Sequence, residues 1–180
     1  MQSKRDIRFV PVTAADYPLL RRWLGSPHMR EWWGDANTEL GYIRDMVEGR
    51  DTTRPFIFHV DGIPAGYIQV WSIGDAIAGG YDDKAPWLHG VTPDAVGVDL
   101  SIGDPDQLSR GIGTEVLRKF LAMLVEEGHE TIIIDPDEAN RRAVRAYEKA
   151  GFVAYDRHVD DDGVTLLMKL DLKRFRETTE

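Results

Sequence analysis

Two periods of hydrophobic spacing alternate along the chain and predict its secondary structure. Alternating or continuous apolar runs predict seven strands, at residues 7–12, 55–60, 65–73, 96–102, 131–134, 153–159 and 164–170. Apolar residues at helical spacing predict four helices, at residues 13–23, 38–47, 111–125 and 138–150. This order of elements is typical of an α/β fold, in which helices cover the faces of a mixed sheet.

Turn and cap residues mark the ends of several of these elements. Residues 13–16 resemble a capping box that opens the first helix, and Gly151 stands where a left-handed helix C-cap is needed. Asp61 and Gly62 separate two strand-like runs, which predicts a hairpin. The acidic turn at residues 160–163 predicts a second hairpin.

Two segments show neither period. Residues 27–34 are expected to form a short loop that carries Trp32 and Trp33. Residues 74–93 are rich in glycine and aspartate, and loops of that length in a compact domain usually serve a function or are mobile. The chain of 180 residues has no repeat and no linker-like stretch, so we expect a single domain over residues 1–180.

Composition narrows the class of protein. The hydrophobic fraction of 42% is ordinary for a globular protein, and no apolar run approaches the roughly 20 residues that cross a bilayer. The first six residues lack the apolar stretch of a signal peptide, so we expect a cytoplasmic protein. The absence of cysteine excludes disulfides, thiolate metal sites and cysteine nucleophiles. The five histidines show no ligand spacing, so we expect no metal.

The net charge indicates cationic partners. Thirty-one acidic residues against 22 basic ones give a formal charge of −9, which repels nucleic acid and anionic membranes and attracts cations. Solubility alone accounts for such a surface unless acidic residues also stand at a binding site. We therefore expect a cationic small molecule as partner, and neither nucleic acid nor membrane. The oligomeric state is left open between monomer and dimer.

A glycine-containing loop precedes the helix predicted at residues 111–125. Its sequence, LSRGIGT at residues 108–114, lets the backbone approach a ligand closely, and amides exposed at a helix start bind anions. Arg110 can add a bidentate contact to a phosphate. The motif is neither a Walker loop nor a dinucleotide fingerprint, and a plain turn before a helix is the alternative.

A second motif lies in the next predicted helix. Asn140 stands early in that helix, and residues 146–152 (AYEKAGF) close it. Together with the loop at residues 108–114, this helix resembles the GCN5-related N-acetyltransferases (GNAT), although Leu108 stands where that family often has Gln or Arg. The resemblance implies the GNAT fold, a mixed, mostly antiparallel seven-stranded sheet flanked by about four helices. It also implies acetyl-CoA as cofactor, with coenzyme A as product.

The same resemblance implies which residues hold the cofactor. The expected cofactor-binding residues are Leu100, Ser101 and Ile102 along the pantetheine arm, Arg110, Gly111, Ile112, Gly113 and Thr114 around the pyrophosphate, and Asn140, Ala143 and Lys149 on the later helix. Tyr147 is expected beside the thioester sulfur, where its phenol donates a proton to the leaving thiolate. Its spacing alone fits a core aromatic equally well.

A closer resemblance, to the aminoglycoside 6'-N-acetyltransferases, covers nearly the whole chain. It rests on residues 23–24, 31–34, 97–99, 107–114, 135–136 and 143–152. It implies that Asp99 lies at the acceptor amine, that Asp135 contacts the cationic sugar, and that Trp33 and Trp87 form apolar walls. Agreement fails mainly between residues 74 and 93, where the chain has its own spacing.

Acetyl transfer to an amine supplies a chemical reason for these residue types. The amine must be neutral beside the thioester carbonyl, and an aspartate such as Asp99 can hold the ammonium and accept its proton. A solvent-facing strand carboxylate is the alternative role for Asp99. Further substrate-binding candidates are Trp32, because adjacent tryptophans cannot both face a core, and Asp83, which is otherwise a solvated loop residue.

Three functions follow as hypotheses. The first is direct acetylation of the 6'-amine of an aminoglycoside from acetyl-CoA, which would confer antibiotic resistance. The second is acylation of a siderophore or polyamine, for which related enzymes tend to carry histidine where Asp99 stands. The third is a non-catalytic acetyl-CoA-binding module.

Overall fold

All seven predicted strands are present in the computed structural model, which describes residues 5–179. The strands are β1 (Ile7–Pro11), β2 (Arg54–Val60), β3 (Ile63–Ser72), β4 (Val96–Ile102), β5 (Ile132–Ile134), β6 (Phe152–Asp160) and β7 (Gly163–Leu170). They form one sheet in the order β1-β2-β3-β4-β5-β7-β6. β1 pairs antiparallel with β2, and β7 pairs antiparallel with both β5 and β6, whereas β4 and β5 are parallel. The predicted mixed sheet is confirmed.

The helices are more numerous than predicted. Within residues 5–179 they are α1 (Tyr17–Leu24), α2 (Pro27–Trp33), α3 (Ala36–Val47), α4 (Ile73–Ala78), α5 (Ile112–Glu126), α6 (Arg141–Ala150) and α7 (Leu172–Thr179). Short 3₁₀ turns occupy Ala14–Asp16, Tyr81–Asp83, Pro86–Gly90 and Pro105–Gln107. The expectation of about four helices was therefore wrong, because α2, α4 and α7 have no more than eight residues each and are too short to display a period.

The expected loop at residues 27–34 is instead helix α2. Pro27 occupies its first turn, where a missing N–H costs nothing, and Met29 is buried. The segment at residues 74–93 was also expected to lack structure, but it contains most of α4 and two 3₁₀ turns. The side chain of Ser72 accepts a hydrogen bond from Asp75 N and so caps α4.

Other ends of helices differ from their predicted positions for identifiable reasons. The capping box at residues 13–16 is present, since Asp16 Oδ2 accepts from Thr13 N at 2.8 Å, but it opens a 3₁₀ turn before α1. α6 begins at Arg141 rather than residue 138, because the Asn140 side chain caps it. Gly151 has the predicted left-handed conformation, with φ 114°.

The chain divides into two compact units that interleave in sequence. The first comprises the chain up to Gln69 together with Leu100–Val116. Its core joins α1, α3, β2 and β3 through Leu20, Trp23, Leu40, Ile43, Ile57 and Tyr67. Leu20, Trp23 and Leu24 lie three and four residues apart, so one face of α1 supplies its share of this core.

The second unit comprises Val70–Asp99 together with the chain from Leu117. One of its apolar clusters brings segment 73–95 onto β5 and consists of Ile73, Ala85, Leu88, Ala95 and Ile133. The single domain over residues 1–180 stays a prediction. No helix described in residues 5–179 has the length and apolar character that crossing a membrane requires.

Candidate active site

Asp99 lies in the middle of β4, and Asp135 directly follows the neighbouring strand β5. β4 and β5 pair in parallel, with Gly97 opposite Ile133. Asp99 lies two residues after Gly97, and Asp135 lies two residues after Ile133. Continuing the same register therefore places the two carboxyl groups side by side on one face of the sheet. Asp135 thus stands at the carboxyl end of a parallel strand, which is where ligands bind in open α/β sheets.

The two carboxyl groups interact electrostatically. Burial raises the pKa of Asp135 well above its usual value, and the negative charge of Asp99 raises it further. Ionising both groups is therefore unfavourable unless a cation compensates them. Such a pair can take up and release a proton, or bind a positively charged group.

Tyr147 lies within the field of both carboxyl groups. Its ring is 8% exposed and packs edge-on to Phe152, with centroids 6.4 Å apart. Burial raises the pKa of Tyr147 above its ordinary value, and the charges of Asp99 and then Asp135 raise it further. The phenol therefore keeps its proton at neutral pH and can act as a hydrogen-bond and proton donor.

The cap of α6 fixes the start of the helix that carries Tyr147. Asn140 Oδ1 accepts a hydrogen bond from Ala143 N at 3.3 Å. The amide oxygen of Asn140 thus satisfies a helix-terminal N–H, so Asn140 has a structural role within its own helix. Lys149 is exposed in the last turn of α6, where a cation is favourable.

An indole ring covers β4 next to Asp99. A Cβ atom placed on Gly97 would lie 2.2 Å from Trp71 Cε2, so the Trp71 ring rests directly on the Gly97 backbone. Gly97 and Asp99 are two residues apart on one strand and present the same face. Trp71 therefore lies on the face of the sheet that carries the Asp99 carboxyl group.

Segment 73–91 packs near this same face. Trp87 and Trp71 are partly buried and pack against the cluster that contains Ile133. Asp83 is exposed, while Asp82 Oδ2 lies 2.9 Å from His89 Nε2. Of the candidates in this segment, Trp87 is thus placed in the apolar cluster and Asp83 at the surface.

The glycine-containing loop belongs to the other unit and has an unusual backbone. Ser109 and Gly111 both have positive φ, 61° and 76°, and α5 begins at Ile112. Left-handed residues directly before a helix turn successive N–H groups toward one point, which is the geometry of an anion-binding nest. Gly113 and Thr114 lie in the first turn of α5, and Arg110 is exposed.

Arg5 stabilises this loop from outside. Its guanidinium donates to Glu115 Oε1 at 2.6 Å and to the Arg110 carbonyl at 3.3 Å. Arg5, just before β1, therefore contacts both the loop and the first turn of α5.

The last residues of β4 are held tightly within the same unit. Ser101 is buried, and a Cβ on Gly66 would lie 2.2 Å from the Ser101 carbonyl oxygen. His28 Nε2 donates to the Ile102 carbonyl at 2.8 Å, which joins α2 to the end of β4. The Ile102 carbonyl thus already has a partner from α2.

The two adjacent tryptophans of α2 differ in environment. The Trp33 ring packs edge-on to Tyr67, with centroids 5.8 Å apart, and borders the core of its unit. Trp32 is half-buried. Trp33 therefore borders the core of its unit, and both rings keep part of their surface accessible.

Comparison with known proteins identifies the family. The sequence profile described as "Acetyltransferase (GNAT) domain" matches residues 12–160. The chain belongs to this family. The predicted GNAT fold and the predicted acetyltransferase class are both confirmed.

Individual GNAT relatives resemble the chain over nearly its full length. The aminoglycoside N(6')-acetyltransferase type 1 of Klebsiella pneumoniae is 30% identical over 174 residues, which cover 93% of this chain and 84% of that protein. A structure of AAC(6')-Ib that contains acetyl-CoA superposes with a TM-score of 0.82 at 29% identity, covering 97% of this chain and 98% of that one. A complex of AAC(6')-Ib with coenzyme A and kanamycin gives 0.81 at 28% identity, covering 97% and 100%.

Trp71 and Arg5 were not identified as candidate residues from the sequence of this GNAT chain. Trp71 lies near the end of an ordinary strand pattern, and no local signal shows that its ring lies over Gly97 of β4. Arg5 precedes the first strand, and no local pattern relates it to a loop more than 100 residues away. The interpretation did find Asp99, Asp135 and Tyr147, which the fold brings into mutual electrostatic contact.

Proposed function

We propose that this protein transfers the acetyl group of acetyl-CoA to the 6'-amine of an aminoglycoside. The observation that carries the proposal is the pair of neighbouring carboxyl groups, Asp99 and Asp135, whose charges both act on the protonated phenol of Tyr147. A carboxylate pair favours a cationic acceptor, and the phenol supplies the proton that a leaving thiolate requires. The relatives named for aminoglycoside acetylation support the same substrate class.

The loop before α5 fits the diphosphate of the cofactor. A Cβ atom on Gly113 would lie 3.7 Å from Leu100 Cδ2, an ordinary contact, so internal packing does not require glycine there. Close approach of a ligand to the backbone does require it. We assign Arg110, Gly111, Ile112, Gly113 and Thr114 to the diphosphate, and Leu100, Ser101 and Ile102 to the pantetheine arm. Asn140, Ala143 and Lys149 are assigned to cofactor binding from α6.

The proposed reaction is direct transfer. Asp99 holds the acceptor ammonium and takes its proton, directly or through water, which frees the nitrogen lone pair. The nitrogen bonds to the thioester carbonyl carbon and loses its second proton to solvent, and the carbon–sulfur bond then breaks. Asp99 releases the proton that it took to solvent. Tyr147 donates its proton to the departing sulfur and regains one from solvent. No cysteine is present to form the commonest covalent intermediate.

The remaining substrate-binding assignments concern the body of the aminoglycoside. Asp135 compensates further positive charge, and Trp32, Trp33, Trp87 and Asp83 are assigned to the acceptor side. Acetylation removes one positive charge and one donor, which weakens binding of the drug to its anionic RNA target and gives resistance. The absence of cysteine agrees with a reducing compartment, and we place the protein in the cytoplasm.

A thiol-release assay tests the proposal. Purified protein with acetyl-CoA is mixed with kanamycin, tobramycin, a polyamine or a hydroxylamine, and free coenzyme A is measured. We expect release with the aminoglycosides, and mass spectrometry of the product should place the acetyl group on the 6'-nitrogen. Turnover with hydroxylamines alone would favour the siderophore-type activity. Cofactor binding without turnover on any amine would favour a non-catalytic module.

A further inference from the structure

The edge strand β6 carries a β-bulge. Ala154 pairs with Met168 and Asp156 pairs with Leu167, so two steps along β6 correspond to one step along β7. Tyr155 is the extra residue. A bulge of this kind turns side chains out of the regular alternation and is frequent beside active sites.

The bulge lies in the same row of the sheet as Asp135. β5 pairs with β7 through Ile134 and Met168, and the bridge between Asp137 and Thr165 continues the same register beyond the strand. Asp135 therefore stands opposite Leu167, the residue that faces the bulge from the other side. The backbones of Asp135 and Tyr155 are about 9–10 Å apart, twice the spacing of neighbouring strands.

The side chains of this row offer complementary chemistry to a polycation. Tyr155 remains 47% exposed, although it is a large aromatic residue, while the intervening Leu167 is buried. Burial of part of the ring raises the pKa of Tyr155, as do the charges of Asp156 and Asp135, so the phenol lies within the field of both carboxyl groups. An aromatic face beside carboxylates attracts an ammonium group and the apolar face of a sugar ring.

We infer that Tyr155 binds the part of the acceptor that lies beyond the reacting amine, and thereby selects polycationic substrates of more than one ring. The inference rests on the proposed function, because it extends the acceptor site from Asp99 and Asp135 to the edge strand. Asp156 stands next to the ring and adds a further negative charge to the same end of the site. Tyr155 acts on substrate affinity and takes no part in the transfer of the acetyl group.

Steady-state kinetics on three variants test this role. Tyr155→Ala removes the ring, Tyr155→Phe keeps it, and Val159→Ala is the control because Val159 is 70% exposed on the same strand. For Tyr155→Ala we expect a roughly 3- to 30-fold higher KM for kanamycin, the range that a cation–aromatic contact produces. The kcat of this variant and its KM for acetyl-CoA should stay within about twofold of wild type, because a contact made equally in the ground state and the transition state affects only the KM of the substrate that makes it.

The controls distinguish failure of the role of Tyr155 from failure of the proposed function. Tyr155→Phe should retain most of the wild-type affinity, and Val159→Ala should match the wild type. A KM for kanamycin that is unchanged in Tyr155→Ala, or equally raised in Val159→Ala, would overturn the role of Tyr155 and leave the proposed function intact. Absence of turnover by the wild-type protein on every aminoglycoside would overturn the proposed function itself. Thermal melting of each variant shows whether it is folded.

Discussion

The carboxyl group of Asp99, in the middle of β4, lies beside that of Asp135, just after the parallel strand β5, and each affects the ionisation of its surroundings. Two like charges in a partly buried position destabilise each other. A bound ammonium group removes that repulsion and gains from both charges. The empty site is therefore the state in which the pair is least stable, and a cationic acceptor stabilises it.

Replacing Asp99 with asparagine should abolish the proton acceptor and keep the shape of the site. We expect kcat to fall by about 100-fold or more, since a general base contributes typically 10²–10⁴. Affinity for acetyl-CoA should change little. Stopped-time thiol release gives kcat, and calorimetry with coenzyme A gives the affinity. Unchanged values for both would identify Asp99 as an ordinary surface carboxylate.

The Asp135→Asn variant should be more stable than the wild type and a poorer binder of the acceptor. The pKa of Asp135 is raised in the folded state, so its contribution to stability is fully present below its usual value of 3.8 and is lost as pH rises through the folded value. At pH 7 the wild type bears the cost of a buried carboxyl group that tends to ionise, and the variant does not, so we expect Tm to rise by about 2–4 °C. The difference should disappear near pH 3, and melting curves across pH measure it.

Removal of the Tyr147 hydroxyl tests the proton donor. Tyr147→Phe keeps the edge-on contact with Phe152, so the fold should persist. We expect kcat to fall by about 100-fold while KM for the acceptor stays nearly constant, because the hydroxyl acts on the leaving sulfur. An acetyl thioester with a more acidic thiol should lose less activity, since its leaving group needs no proton. Equal losses with both thioesters would assign Tyr147 to packing.

Gly111 and Gly113, in the glycine-containing loop at residues 108–114, should respond differently to replacement by alanine. Gly113→Ala meets only ordinary contacts inside the protein, so Tm should stay constant while the Kd for coenzyme A rises by about tenfold or more. Gly111 has φ 76°, so in Gly111→Ala the alanine must adopt the left-handed conformation, which should lower the free energy of unfolding by about 1–2 kcal/mol. Calorimetry and melting on both variants separate ligand approach from backbone strain. Unchanged coenzyme A affinity in Gly113→Ala would contradict the assignment.

The contact between Trp71 and Gly97 predicts a large effect of one methyl group. Gly97→Ala places a Cβ atom 2.2 Å from the indole, and overpacking of this kind costs about 1–3 kcal/mol. Gly41→Ala is the matched control, because nothing lies within 4 Å of its Cβ position. Since Gly41 is inside helix α3, alanine there should stabilise the protein by about 0.5–1 kcal/mol. Denaturant titration measures both changes.

Elements with a strong period or a continuous apolar run were predictable from the sequence, and the short helices α2, α4 and α7 were not. The acidic turn between β6 and β7 predicts their hairpin, and α5 shows four helical turns of apolar residues. α2 has seven residues, and its helical form depends on Pro27 in the first turn and on burial of Met29. α7 is capped by Asp171, which accepts from Arg174 N, but this signal consists of one side chain.

The candidate site was predictable as residue types and unpredictable as geometry. Asp99, Asp135 and Tyr147 stand in recognisable motifs, so their identities could be read from the chain. Their proximity depends on the parallel register of β4 and β5, which no local pattern encodes. Trp71 and Tyr155 depend on tertiary features, a glycine on the neighbouring strand and a bulge, and therefore were not found.

The hydrogen bond from His28 to the Ile102 carbonyl has a consequence for how the protein can move. Ile102 is the last residue of β4, and His28 lies in the helix that bears Trp32 and Trp33. If the end of β4 shifts, either the hydrogen bond between His28 and the Ile102 carbonyl breaks or helix α2 moves together with the strand. As long as this hydrogen bond is intact, the end of β4 and the two tryptophans of α2 are displaced together.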